Sequence, residues 1–290
     1  MRKYLLIHCA LITWCLSPSF GWSAGNVIQD KGSDTLVNVA QVWAEAYSKV
    51  APKVSIAVSG GGSGTGFAAL INGTADIANA SRKIKWVEKG QARNNGHYPV
   101  EFIVGFDALV VYVNKTNPLN TISLEKLAEI YAEGGRIILW DQLGVKVPGC
   151  TNQKIIRVNR ENNSGTYAYF REEVMKNKDY RNGSMDMEGS KDVTDLIEKT
   201  PCAIGYSGLA YDNDHVKMLC VSAKEGDKCI EPSEETASDK SYPIARPLFM
   251  YTDGTPTGEV KKYLDWILSD AGQCIIKNKG YAPVRPVKCE

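Results

Sequence analysis

The run Ser59-Gly60-Gly61-Gly62-Ser63-Gly64-Thr65-Gly66 puts five glycines into eight residues and leaves few side chains there for a core. What such a run permits is close approach of the backbone to another group. A strand-like stretch, residues 54–58, precedes it. The apolar run Phe67-Ala68-Ala69-Leu70-Ile71 follows and reads as a short helix with Gly73 as its stop. Strand, glycine loop and helix N-terminus together suit an anion, because first-turn amides lack intrahelical partners and the helix dipole adds about half a positive charge there. Nucleotide motifs do not fit. Phe67 and Ala68 stand where a P-loop needs Lys and Ser or Thr, and no start in the loop gives the glycine spacing of a dinucleotide site. Thr65 breaks the Gly-x-Ser-x-Gly pattern around Ser63.

Arg2 and Lys3 lead an apolar stretch, residues 4–16, followed by small residues. This is the pattern of a secretory signal peptide over residues 1–24, too short to span a bilayer. Trp14 before Cys15 argues against a lipoprotein signal. Without that segment the net charge passes from +1 to about −1, so no broad basic face is available for nucleic acid. Cys150, Cys202, Cys220, Cys229, Cys274 and Cys289 remain, an even number that suggests disulfides in an exported chain. None shows Cys-x-x-Cys spacing. His97 and His215 are the remaining histidines, and neither has a second ligand at metal-binding spacing. No metal or cofactor is expected, and a histidine-based hydrolase is disfavoured.

Helical and strand-like stretches alternate, the signature of an α/β fold. Leu36, Val39, Ala40, Trp43, Ala46, Tyr47 and Val50 form one face of a helix that Ser33 or Asp34 can cap. Residues 75–80 read as a short buried strand, and residues 100–104 and 108–113 as two strands separated by Gly105-Phe106-Asp107. Further strands are expected at 154–158, 203–206 and 244–251, and helices at 123–131, 167–175, 191–199 and 257–268.

Four loops share one character. Ser33-Asp34-Thr35, Ser63-Gly64-Thr65, Ser81-Arg82 and the 160–166 loop, with Arg160 and Ser164-Gly165-Thr166, each join a strand to a helix. Ligands of open α/β sheets bind at the carboxyl ends of strands. Hydroxyls, amides and guanidiniums converging there describe a site for a tetrahedral oxyanion. Taken singly, each loop is also an ordinary cap or turn, and Arg82 and Arg160 are ordinary surface residues. The repetition is what favours a site.

The runs Gly32-Ser33-Asp34-Thr35-Leu36, Gly60 to Gly66, Asp76-Ile77-Ala78-Asn79-Ala80-Ser81-Arg82, the 160–166 loop and Ala203-Ile204-Gly205-Tyr206 resemble the phosphate-binding proteins of ABC phosphate transporters, in order along the whole exported chain. The resemblance implies a type II periplasmic binding protein: two α/β lobes joined by two crossover strands, with phosphate in the cleft. One lobe would be residues 26–113 completed by 246–290, the other 114–245. It implies a monomeric, non-enzymatic periplasmic protein that hands phosphate to an ABC permease in the inner membrane. Sulfate, molybdate or tungstate is the alternative ligand, and an exported hydrolase a more distant one. The implied phosphate ligands are Ser33, Asp34, Thr35, Ser63, Gly64, Thr65, Ser81, Arg82, Arg160, Ser164, Gly165 and Thr166. Some relatives carry Asp where Arg82 stands, as acceptor of the hydrogen-phosphate proton. Asp107, and after it Asp34, is the expected substitute. The implied lobes place Cys274 and Cys289 together and the other four cysteines together. A bridge between lobes would lock the hinge, so pairing within lobes is expected: Cys274–Cys289, with three arrangements of the rest. Of these, Cys220–Cys229 across a polar turn, leaving Cys150–Cys202, is preferred.

Overall fold

The computed structural model describes residues 26–289; the expected signal peptide lies outside them. The chain begins β1 (Asn26–Gly32), α1 (Asp34–Val50), β2 (Val54–Ser59), α2 (Ser63–Ile71), β3 (Ile77–Ala80), α3 (Trp86–Asn94) and the long β4 (Pro99–Asn114). It continues through β5 (Thr121–Ser123), α4 (Leu124–Tyr131), β6 (Ile156–Arg160), α5 (Gly165–Glu173), β7 (Met185–Met187), α6 (Ser190–Lys199), β8 (Ala203–Gly208), β9 (Val216–Met218) and β10 (Cys220–Ser222). It ends α7 (Glu234–Ser238), β11 (Ala245–Asp253), α8 (Gly258–Ile267) and α9 (Asp270–Asn278). No helix among the described residues is long and apolar enough to cross a membrane.

One curled sheet runs β2-β1-β3-β11-β4-β8-β6-β7, with β9 also on β4. β1 is parallel to β2 and β3, and β6 is parallel to β7 and β8. β11 is antiparallel to β3 and β4, and β4 to β8. The apolar residues divide into cores on either side of the β4–β11 pair. Ile28, Leu36, Trp43, Val104, Leu248 and Tyr281 belong to one, with Phe67, Ala80 and Phe249 in an adjoining cluster. Ala108 through Val113, Trp140, Phe170, Tyr206 and Ile244 belong to the other. The chain therefore passes between cores twice, near residues 105–108 in β4 and near 244–248 at the start of β11. The divide lies inside β4, so residues 108–113 pack with the second lobe, not with the first as their position before residue 114 suggested.

β4 is continuous where two strands were expected. Gly105 takes an extended conformation, and a Cβ there would come within 2.3 Å of Ile276 Cδ1. The glycine marks close approach of α9 rather than a turn. Asp107 is accordingly a mid-strand residue. Of the expected α1 face, Leu36, Val39, Ala40, Trp43 and Tyr47 are buried, Ala46 is half-buried, and Val50, at the end of the helix, is exposed. Each large apolar side chain there contributes roughly 1.5–3 kcal/mol. Trp43 Nε1 donates to Gly272 O at 2.8 Å, tying α1 to α9. In the second lobe, Phe170 of α5 stacks on Tyr206 of β8 with ring centroids 3.9 Å apart, and Tyr131 meets both edge-on. This aromatic group packs α5 against β8.

The cysteines pair Cys150–Cys202, Cys220–Cys229 and Cys274–Cys289, with Cα separations of 5.0, 5.5 and 5.5 Å. Each bridge joins residues of one lobe, so none restrains one lobe against the other.

Candidate anion-binding site

Three helices, α1, α2 and α5, begin at the cleft between the cores. Ser33 occupies the N-cap of α1, yet its hydroxyl makes no capping bond. It donates instead to Ser81 Oγ at 2.9 Å. An N-cap hydroxyl is worth about 1 kcal/mol, and here that contribution is forgone for a contact across the sheet end. Ser63 is the first residue of α2; its Oγ accepts from Ser81 N at 3.0 Å and lies 3.4 Å from Ser81 Oγ. The other lobe contributes Thr166 in the first turn of α5, whose Oγ1 is 3.0 Å from Thr35 Oγ1. All five hydroxyls are buried. A hydroxyl can donate or accept as its rotor turns, so the cluster can direct several donors to one oxyanion.

Gly165 allows the lobes to meet here. A Cβ on it would lie 2.3 Å from Ser63 Oγ and 2.5 Å from Ser81 Oγ. The glycine loop does the same at the cleft edge. Gly62, at φ 88°, faces Asn163 O of the opposite lobe, 2.8 Å from where its Cβ would be. Gly64 N donates to that carbonyl at 2.9 Å, and Asn163 Nδ2 returns a bond to Gly61 O at 3.0 Å. Here the close approach that the glycines allow is to the other lobe's backbone.

Two ion pairs flank the hydroxyls, one half-buried and one fully buried. Arg160 Nη2 donates to Asp34 Oδ2 across the cleft at 2.9 Å, while Nη1 donates to Ser190 Oγ at 2.8 Å. Arg160 Nε reaches Met187 O and Glu188 O, both at 3.2 Å. Asp34 Oδ1 accepts from Gly61 N at 2.8 Å. Burial lowers the Arg160 pKa, and the Asp34 charge opposes that shift. The second pair is Arg246–Asp107, 2.7 Å apart, with both side chains fully buried. Burial raises the Asp107 pKa; the Arg246 charge and the Leu209 N–H, 3.1 Å from Oδ1, oppose it.

The residues expected at the site thus fall into groups. Ser33, Thr35, Ser63, Ser81, Gly165 and Thr166 come together. Asp34 and Arg160 form the pair beside them. Ser164 caps α5, accepting from Thr166 N and Tyr167 N, and Gly64 bonds to the facing loop. Thr65 turns back to Gly61 O. Arg82 points away: its guanidinium binds Glu88 through both terminal nitrogens, at 2.8 and 2.6 Å, and lies 4.8 Å from the Phe67 ring centroid. A nearby carboxylate and aromatic face give that cation better partners than the cleft. Asp107 commits both its oxygens to Arg246 and Leu209. The residue the sequence did not reveal is Arg246. Its one trace is a cation in the strand-like run Ile244-Ala245-Arg246-Pro247-Leu248, and its partner stands 139 positions away.

A family model described as PBP superfamily domain matches residues 23–271. The chain belongs to the PBP superfamily. Within it, the chain is 32% identical over 273 residues to the phosphate-binding protein PstS of Pseudomonas aeruginosa, covering 90% of this chain and 84% of that one. It is 30% identical over 293 residues to the protein SphX of Synechococcus elongatus, covering 98% and 85%. Among solved structures, a Clostridium perfringens protein assigned as a phosphate ABC transporter substrate-binding protein, with bound phosphate, superposes at a TM-score of 0.78. The identity is 28%, over 90% of this chain and all of that one. An ABC-type phosphate transport receptor from Vibrio cholerae gives a TM-score of 0.70 at 27% identity, over 89% of this chain and all of that one. The curled sheet with two crossovers is the type II periplasmic binding protein fold of this superfamily.

Proposed function

We propose that this protein binds inorganic phosphate between its two lobes, outside the cytoplasm, and delivers it to an ABC permease, acting as a monomer and without catalysis. The observation that carries the reading is the buried set of five hydroxyls drawn from both lobes, with helix N-termini and guanidiniums around it. Donors on both sides of a cleft favour a ligand that closes it, and a closed form gives a permease one surface to recognise. The relatives named for phosphate binding, and the similar structure holding phosphate, support the same ligand. The implied ligands divide by role in this proposal. Ser33, Thr35, Ser63, Ser81 and Thr166 contact phosphate, while Asp34 and Arg160 clamp the lobes beside it.

The test is uptake of labelled phosphate at low external concentration by cells lacking the gene, with and without the gene restored. Restored uptake that a permease deletion abolishes is the expected result. Uptake unaffected by loss of the gene would contradict the delivery role.

A further inference from the structure

β4 and β11 are the two passages between the lobes, and Asp107 and Arg246 stand directly opposite each other on them. The placement is specific: the pair sits where each strand leaves one core for the other. Arg246 binds Asp107 Oδ2 through Nε at 3.0 Å and Nη2 at 2.7 Å. Asp107 Oδ1 is held by Leu209 N of the second lobe. The remaining donors of Arg246 face the hydroxyl cluster. Nη1 donates to Thr166 Oγ1 of the second lobe at 3.0 Å and to Ser81 O of the first at 3.3 Å. Nη2 reaches Thr35 Oγ1 of the first lobe at 3.4 Å. Neither Arg82 nor Arg160 has a hydrogen bond to this cluster among those of the described residues; their donors go to Glu88 and Lys83 O, and to Asp34, Ser190 and the Met187 and Glu188 carbonyls.

We propose that Arg246 is the guanidinium that binds the anion from the hinge, and that Asp107 is the positioning residue that fixes its plane. The inference rests on the phosphate reading above and assigns the charge within that site. A guanidinium on the strand about which the lobes turn, with donors directed to both, makes anion binding and lobe closure one event. The threonine hydroxyls that now accept from Arg246 turn to donate to the anion, which takes their place as acceptor. Asp107 does not receive the ligand's proton, because both its oxygens are engaged in holding Arg246 and the β8 end.

The test uses the full exported chain and inorganic phosphate, with calorimetry for affinity, small-angle scattering for closure and urea unfolding for stability. Wild type binds phosphate and contracts; failure at this step would refute the phosphate reading, not the role of Arg246. Arg246→Gln/Asp107→Asn replaces the ion pair by two neutral amides; the glutamine is two heavy atoms shorter than the buried arginine, so the urea unfolding measures what the lost packing costs. The double variant is expected to unfold cooperatively and to bind phosphate about 100-fold more weakly, as two charge-assisted bonds are lost. It is also expected not to contract at phosphate levels that saturate wild type. Asp107→Asn alone keeps the positive charge but frees its plane, and should lose about tenfold. Arg246→Lys keeps the charge without the fork and serves if the amide pair does not fold. Affinity within about threefold of wild type in either folded Arg246 variant, with normal contraction, would show a purely structural pair and overturn the proposal.

Discussion

Replacing Gly165 by alanine should weaken phosphate binding without destabilising the unliganded protein. The added methyl would lie 2.3 Å from Ser63 Oγ and 2.5 Å from Ser81 Oγ. Ordinary contact requires about 1 Å more, and neither hydroxyl can yield easily. Ser63 Oγ accepts from Ser81 N, and Ser81 Oγ accepts from Ser33 Oγ, so moving either breaks a buried hydrogen bond. Overpacking of this kind costs about 1–3 kcal/mol. Gly165 belongs to one lobe and both serines to the other, so the clash exists only when the lobes meet. The penalty therefore falls on the liganded, closed form and appears as a phosphate affinity roughly 5- to 150-fold weaker. Calorimetry against phosphate reads the affinity, and urea unfolding without phosphate reads the stability. Affinity within about twofold of wild type would refute the argument that the lobes meet at this glycine. So would a stability loss of full size in the absence of phosphate.

Three further outcomes are expected. Arg82→Ala should leave phosphate affinity within about threefold while lowering the melting temperature, whereas Arg160→Ala, which unpairs the half-buried Asp34 and breaks the clamp between the lobes, should lower affinity more than tenfold; calorimetry that ranks the two in the opposite order would contradict the placement of Arg82. Burial pushes the Asp30 carboxyl from 3.8 to about 7, outweighing the Asn79 side chain beside it, so the folded form keeps a proton that the unfolded chain releases between those values. Stability should then fall as pH rises from about 4 to 7, by up to about 4 kcal/mol, and Asp30→Asn should flatten that slope in urea titrations; parallel slopes for wild type and variant would exclude Asp30 as its source. Among the disulfides, Cys150–Cys202 spans 52 positions and Cys220–Cys229 spans 9, so loop closure assigns about 4 and about 3 kcal/mol to them; serine pairs compared by denaturation should keep that order, and neither should abolish phosphate binding.

The α/β class and the loops that meet at the cleft were legible because each strand-to-helix junction carries its chemistry locally. Glycine and hydroxyl side by side are visible in Ser63-Gly64-Thr65 and Ser164-Gly165-Thr166, the second with Arg160 four residues before it, without knowledge of the fold. Cys274–Cys289 followed from the lobe division that the resemblance implies and the demand that a hinge stay free; that argument left three arrangements of the other four cysteines, and the polar turn between Cys220 and Cys229 favoured the one found. What local pattern could not give is direction. Ser33 reads as a cap and stands in the cap position, but its hydroxyl turns to Ser81 because β1 and β3 are neighbours in the sheet. Arg82 follows a strand as Arg160 ends one, yet Glu88 six residues on captures it. Gly105 looked like a break between strands because its packing partner, Ile276, comes from the last helix. Arg246 and Asp107 are the extreme case: two charges in apolar strand runs, each with its partner far away in sequence and directly opposite in register.

The central claim is the ligand. Calorimetry on protein refolded free of phosphate, titrated in parallel with inorganic phosphate, sulfate and molybdate, tests it most directly. One phosphate per chain, bound at about micromolar affinity or tighter and at least about 100-fold more tightly than sulfate or molybdate, is the predicted result. Equal or tighter binding of sulfate or molybdate, or no heat with phosphate, would contradict it.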